Sequence, residues 1–464
     1  MSDVNFRVGW VDLRRTGQPR YCCYPERESA VEPQRVGNLR IGVVGDFYPH
    51  TLRSAHVTTG IAILASEADV VQNVRVYGPE GSRIPTGLSS ESCAKISLTQ
   101  SWKIDSPFSI VRLGYSLLRD SKSLDGIVFN TILRTYGANA ISNGLGLLLP
   151  TIVARVTRKP VLVYCHSLLE TQDNRALGFE VKWPTIFLVR ILERMMLGTS
   201  KVVVRLGLQA RKVQEFHGVE PPHFAAPFVD AVSSFYASKI SQRETIVHRN
   251  SVSVLVFGIG GPHKDIVTVV RALSELERSG TNACLTLAGG IAIDSEIQGL
   301  LSKSGLEGAS CTADLRSGCR IEVKGPGLNN QTRLVPNVEE CEVANLFRGT
   351  DVVVLPYLAA GGFSSVMCQA AFYGARIIAY DLPEFRETAA SINCEVELIP
   401  PGDATAMATA ISRSSPKSRE DYEVLPELER ERLNRARRAV ASLIGYLLRN
   451  MSPSQPSEIH ERKL

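Results

Sequence analysis

Two stretches of the sequence gather residue types that bind anions and hydroxyls where a strand should turn into a helix. The first, VFGIGGPHKD from Val256 to Asp265, ends an apolar run at Gly258 and continues through Gly260 and Gly261 to Lys264. Glycine amides without side-chain bulk and one ammonium can converge there on a phosphate. The second, VVVLPYLAAGGFSSVMCQAAFYGARIIAYD from Val352 to Asp381, passes from an apolar strand through Gly361, Gly362 and Phe363 to Ser364 and Ser365. A helix opening at Ser364 would aim its first amides back into that loop. Between Asp351 and Asp381 the sole charged residue is Arg376, and no acid or histidine is present to carry a proton. The chemistry on offer is binding of phosphate or sugar hydroxyls. Taken singly, each stretch reads equally as an ordinary glycine turn or a serine-capped helix start.

Those turns need strands and helices to hold them, and the chain supplies both in alternation. LRIGVVGDF, from Leu39, is a continuous apolar run of the kind buried on both faces of a parallel sheet. Helix and strand patterns then alternate to SKVVVRLG, and a second alternation starts at SVLVFG and ends at EVELIP. The rhythm predicts an α/β protein with two Rossmann-like doubly wound domains, residues 39–235 and 250–424, facing each other across a cleft. The proline- and histidine-bearing segment 218–250 connects them. Residues 1–38 read as an arm or tail, 425–450 as an amphipathic helix covering one domain or bridging both, and 451–464 as a disordered tail. Ligands of such folds bind beyond the carboxyl ends of the strands, so the interdomain cleft is the expected site.

Bulk composition narrows the function classes. At 464 residues and 44% hydrophobic content the chain can build more than one core. A net charge of +5 with dispersed cations does not describe a nucleic-acid binder. The ten cysteines show no CxxC pair and no zinc spacing, and the first residues lack an apolar signal core, which points to the cytoplasm. The longest apolar run, Gly144 to Ala154, is too short to span a bilayer.

From Gly258 through Glu387 the sequence resembles the donor-binding domain of glycosyltransferase family 4, retaining transferases of the GT-B fold. FGIGGPHK matches the family's strand, glycine and lysine loop, and VPNVEECEVANLFRGTDVVVLPY its proline, acidic helix and strand passage. GGFSSVMCQAAFYGARIIAYDLPEFRE follows the donor loop, donor helix, closing strand and terminal glutamate. In the first half, PVLVYCHSLLET resembles the strand that ends in a histidine near the donor sugar, here His166. GDFYPHTLRSAHVTTG, with Asp46, His50, Arg53 and His56, occupies the place of the first glycine-rich loop, and APFVDAVSSF that of the hinge passage.

The resemblance implies transfer of a hexose from a nucleotide diphosphate sugar to an acceptor hydroxyl with retained configuration. No cofactor is implied beyond that co-substrate, and no metal. Lys264 and the amides of Gly362 to Ser365 would meet the diphosphate, with Gly258, Gly260, Gly261, Gly361 and Phe363 shaping the loops. His166 would stand beside the sugar. Two departures accompany this. The family's arginine after the first glycine is Ile259 here, and its two glutamates are Gly361 and Gln369, of which only Gln369 keeps a side chain able to hold a ribose. Two alternative readings stay open: a GT-B scaffold that binds a nucleotide or glycan without turnover, and an unrelated two-domain Rossmann enzyme such as an epimerase of the same shape or a nucleotide-cofactor reductase. The resemblance implies a glycan or a lipid-linked molecule as acceptor. Three apolar helices ending in Arg or Lys (SIVRLGYSLLR, NGLGLLLPTIVARVTRK and WPTIFLVRILERMML) suit either domain cores or peripheral contact with the inner face of a membrane.

Overall fold

The computed structural model describes residues 38–48, 55–86, 88–104, 106–131, 135–136, 140–177, 183–237, 251–258, 263–289, 310–314, 320–325, 328–336, 338 and 340–449. The expected arm and tail fall outside these residues, apart from Asn38, as do His50, Arg53, Ile259, Gly260 and Gly261.

The first sheet consists of β1 (Leu39–Val44), β2 (Val71–Pro79), β3 (Ile96–Trp102), β4 (Gly126–Thr131), β5 (Val161–Cys165) and β6 (Lys201–Val204). Their order is β3-β2-β1-β4-β5-β6 and every pairing is parallel. All six residues of β4, GIVFNT, are buried, as a strand covered on both faces requires. One face is covered by α1 (Ala55–Glu67) and α7 (Val229–Ala237). The other carries α3 (Pro107–Asp120), α4 (Ala140–Thr157), α5 (Trp183–Thr199) and α6 (Gly207–His217), while the short α2 (Ser90–Lys95) leads into β3.

The second sheet has the order β14-β13-β12-β7-β8-β11-β10-β9. It is built from β7 (Val252–Phe257), β8 (Ala283–Gly289), β9 (Ser310–Asp314), β10 (Arg320–Gly325), β11 (Leu328–Pro336), β12 (Val352–Leu355), β13 (Arg376–Tyr380) and β14 (Glu397–Ile399). The alternation suggests parallel strands throughout, but β10 runs antiparallel to both β11 and β9 and forms a mixed edge. Helices α8 (Ile266–Arg278) and α12 (Ala404–Ser412) cover one face. The other face receives α9 (Glu340–Arg348), α10 (Ser365–Phe372) and α11 (Pro383–Ile392). In α8, Val269, Val270, Ala272, Leu273 and Leu276 form the inward stripe, and Asp265 caps the helix by accepting from the Thr268 amide at 3.1 Å.

Two helices tie the halves together. Helix α7 gives Ala231 to the first core and Val229 and Val232 to the second. The last helix, α13 (Arg419–Leu448), starts on the second domain, where Glu429 pairs with Arg348 at 2.6 Å. It ends on the first, where Arg437 pairs with Glu67 at 3.0 Å and Leu447 fills the space beside Gly126. No described helix is long and apolar enough to cross a membrane.

Strand order reverses between β1 and β4 in the first sheet and between β12 and β7 in the second. At such a switch the two flanking loops diverge and leave a crevice beyond the carboxyl ends. The loops leaving β7 and β12 are the two glycine-bearing stretches of the sequence, so both open at one switch point.

Candidate functional site

Lys264 sits beside the carboxyl end of β7. Its backbone bridges to Tyr357, and its ammonium donates to the Phe257 carbonyl at 2.9 Å and lies 5.0 Å from the Tyr357 ring centroid. Gly258 follows the strand directly at φ 106°, and a Cβ there would stand 3.0 Å from Lys264 Nζ. Only a glycine leaves the amine room while taking that backbone angle. The side chain is buried, and burial alone brings its pKa down from 10.5 to about 7.

The loop after β12 faces the first domain. Gly362 has φ 134°, and a Cβ on it would meet Gln209 Nε2 at 2.7 Å and the His166 carbonyl oxygen at 3.2 Å. Gln209 holds that carbonyl with its amide at 2.6 Å. Phe363 stacks beneath Arg205, whose guanidinium carbon lies 3.9 Å from the ring centroid. Ser364 caps α10, its Oγ accepting from the Met367 amide at 3.2 Å, and its own amide donates to Thr388 Oγ1 at 3.4 Å. Ser365 Oγ is 3.0 Å from Nε2 of His56 on α1, a contact across the two domains. Gly361 lies against the segment after β5, where a Cβ would be 3.4 Å from Gln172 Oε1 and 3.6 Å from Leu177. Gln369, one turn beyond Ser365 on α10, is half-buried.

His166 follows β5 directly, and both of its ring nitrogens are engaged. Arg205 approaches Nδ1 at 3.1 Å and Asn130 Oδ1 lies 2.7 Å from Nε2. A guanidinium only donates, so Nδ1 accepts and the proton resides on Nε2, donating to Asn130. Asn130 is fixed in turn by donating its amide to Thr58 Oγ1 at 2.8 Å. Burial first, then the Arg205 and His56 charges, hold His166 well below the usual histidine range. Burial and Arg205 likewise bring His56 down to about 4. Both rings are neutral at pH 7 and suited to orienting groups.

Arg205, Asn130, Gln209 and Gln172 are the groups that the sequence left unmarked, while His56 was marked only by its place in the first glycine-rich loop of the family. Arg205 is the most telling, being 2% exposed with an Nε that meets no hydrogen-bond partner among the described residues. Behind the site, the buried Glu387 accepts from the amides of Gly207 and Leu208 at the start of α6, the latter at 3.0 Å, which ties the second domain to a helix of the first. Among the described residues, no three His, Cys, Asp or Glu side chains are grouped as a metal ion would require.

No curated protein matches the chain in sequence. Among solved structures, HepE of Anabaena, determined with UDP and glucose, is similar with a TM-score of 0.54 at 12% identity, covering 88% of this chain and 99% of that one. Sucrose-phosphate synthase of Thermosynechococcus elongatus aligns with a TM-score of 0.57 at 15% identity, over 89% of this chain and 98% of that one. UDP-GlcNAc 2-epimerase of Neisseria meningitidis, bound to UDP-GlcNAc, gives 0.50 at 13% identity, over 89% and 100%. Likeness at this identity speaks for the fold, which transferases and an epimerase share. The described chain thus has the two-domain GT-B fold, and its second domain matches the family Glycosyl transferases group 1 over residues 252–415.

Proposed function

We propose that the protein transfers a hexose from a nucleotide diphosphate sugar to an acceptor hydroxyl, retaining the anomeric configuration and using no resident metal. The observation that carries this reading is the set of groups able to hold an anion around one loop. The buried Lys264 amine lies beside Gly258, next to which Val366 of α10 also stands, the amino end of α10 opens from the same loop, and the buried Arg205 covers Phe363 from the first domain. A diphosphate supplies the charge that these groups lack. Arg205 offers a guanidinium although position 259 holds isoleucine.

In the step proposed, the bond from the anomeric carbon to the diphosphate breaks and the nucleotide leaves with the electron pair. The acceptor oxygen bonds to the same face of that carbon, and its proton passes to the departing phosphate. Lys264, Arg205 and the helix amides stabilise the leaving charge, a preorganised effect worth several kcal/mol in sites of this kind. His166 and His56, held neutral, position the sugar and Ser365. Gln172, which reaches the place beside Gly361, and Gln369 are the amides available for sugar and ribose hydroxyls. The acceptor, a glycan or lipid-linked molecule, enters from the first domain, and domain closure limits hydrolysis.

Because HepE was determined with UDP and the Neisseria epimerase with UDP-GlcNAc, UDP-sugars are the first donors to test, followed by GDP- and ADP-sugars. A productive donor should raise the melting temperature and release nucleotide, and Lys264→Ala should abolish both effects. If no nucleotide sugar shifts the melting temperature or is turned over, the reading fails. Binding without release with any acceptor would favour a non-catalytic binding protein, for which the lack of carboxylates at Gly361 and Gln369 speaks. Recovery of an isomerised donor would indicate an epimerase.

A further inference from the structure

The outer helices of the first domain expose too much apolar surface for a layer facing water. Helix α3 is apolar on two faces. Ile110, Leu113 and Leu117 are buried, while Phe108, Val111 and Tyr115 are 88%, 62% and 66% exposed. Their spacing puts the exposed trio on one stripe, where an ordinary amphipathic helix is polar. Helix α4 lies between α3 and α5 and adds Val156 at its end, 64% exposed. Helix α5 adds Leu188 and Ile191, 52% and 42% exposed.

Charge on this layer has one sign. Arg112, Arg155 and Arg194 on these helices are exposed, as is Arg158 just after α4. The three helices contain two acids, Asp120 and Glu193, and both are buried and engaged. Asp120 accepts from Tyr77 and pairs with Arg75 and Arg119, and Glu193 accepts from the Leu169 amide and pairs with His217.

We propose that the outer face of α3, α4 and α5 is a docking surface for an anionic lipid bilayer. Phe108, Tyr115 and the aliphatic side chains would enter the headgroup boundary, and the arginines would meet lipid phosphates while their stems lie along the apolar stripe. Charge complementarity favours this occupant over a second copy of the chain. A two-fold interface is made of the same patch twice and would press these arginines against their own copies. The inference concerns where the protein works and does not depend on the proposed reaction.

Co-sedimentation of the full-length protein with vesicles of phosphatidylcholine, alone or mixed with phosphatidylglycerol, tests it. Binding should appear with the anionic vesicles and fall with added salt. Arg112→Glu with Arg155→Glu should reduce partitioning by about tenfold or more. Phe108→Ser with Tyr115→Ser should reduce it by about tenfold. Circular dichroism and melting temperature should match the parent, since these side chains support no core. Absence of binding to anionic vesicles, or binding by both variants equal to that of the parent, would overturn the proposal. So would a dimer in light scattering that the same substitutions dissociate, because the face would then be a protein interface.

Discussion

Lys264 carries opposing demands. An amine brought down to about pKa 7 by burial is half-charged near neutrality in the ligand-free protein, and a bound diphosphate would restore its proton. Donor affinity should therefore weaken as pH rises through about 7, by up to about tenfold per pH unit. Stability of the ligand-free protein should move the other way. Between about 7 and 10.5 the unfolded chain keeps a proton that the folded site releases, so folding gains as pH rises across that window. Lys264→Met removes both trends. It should raise the melting temperature of the ligand-free protein near neutral pH, by about 2–4 °C for each kcal/mol of relieved burial. It should also abolish the shift produced by the donor. Titration calorimetry and thermal melts at about pH 6 and about pH 9 measure the two slopes. Parallel slopes, or a variant that binds donor as well as the parent, would remove this lysine from the site.

At the scale of the element, the loop from β12 to α10 distinguishes a glycine required by its backbone from one that is not. Gly362→Ala puts a methyl at φ 134° and within 2.7 Å of Gln209 Nε2, breaking the bond that holds the His166 carbonyl. A loss of about 1–3 kcal/mol in stability, and a raised KM for the donor, are expected. Gly361→Ala, whose Cβ would make ordinary contacts at 3.4 and 3.6 Å, should leave stability nearly unchanged and serves as the paired control in urea melts. Equal costs for the two would refute this account of the loop. The same scale shows what the sequence made readable. Runs such as GIVFNT and VVVL announce β4 and β12 because burial on both faces demands uninterrupted apolar residues. Strand β3, ISLTQSW, lies at a sheet edge with a largely half-buried, polar middle, so no such run marks it. The glycine, serine and lysine pattern is local and visible. The His56–Ser365 contact joins residues 309 positions apart, and Arg205, Asn130 and Gln209 gain their meaning only from the fold that assembles them.

The whole molecule poses the question of how its two domains are held together. Helix α13 and the shared α7 join them at the back, while Glu387 joins them near the site by accepting from the first two amides of α6. A carboxylate suits the positive end of a helix, and both of its oxygens are used. Glu387→Gln keeps the shape but loses the charge and turns an amino group toward one of the two amides. About 1–3 kcal/mol should be lost at the seam. Calorimetry should then show a transition broader than that of the parent, or a split one, as the domains uncouple, and small-angle scattering should report a larger radius of gyration. The groups proposed to hold the donor on the second domain, Lys264 and α10, are untouched, so on that proposal the donor-induced thermal shift should persist while turnover falls. A variant that melts and scatters like the parent yet no longer binds donor would place Glu387 in contact with the donor itself, and the domains would have to be held by the two helices alone.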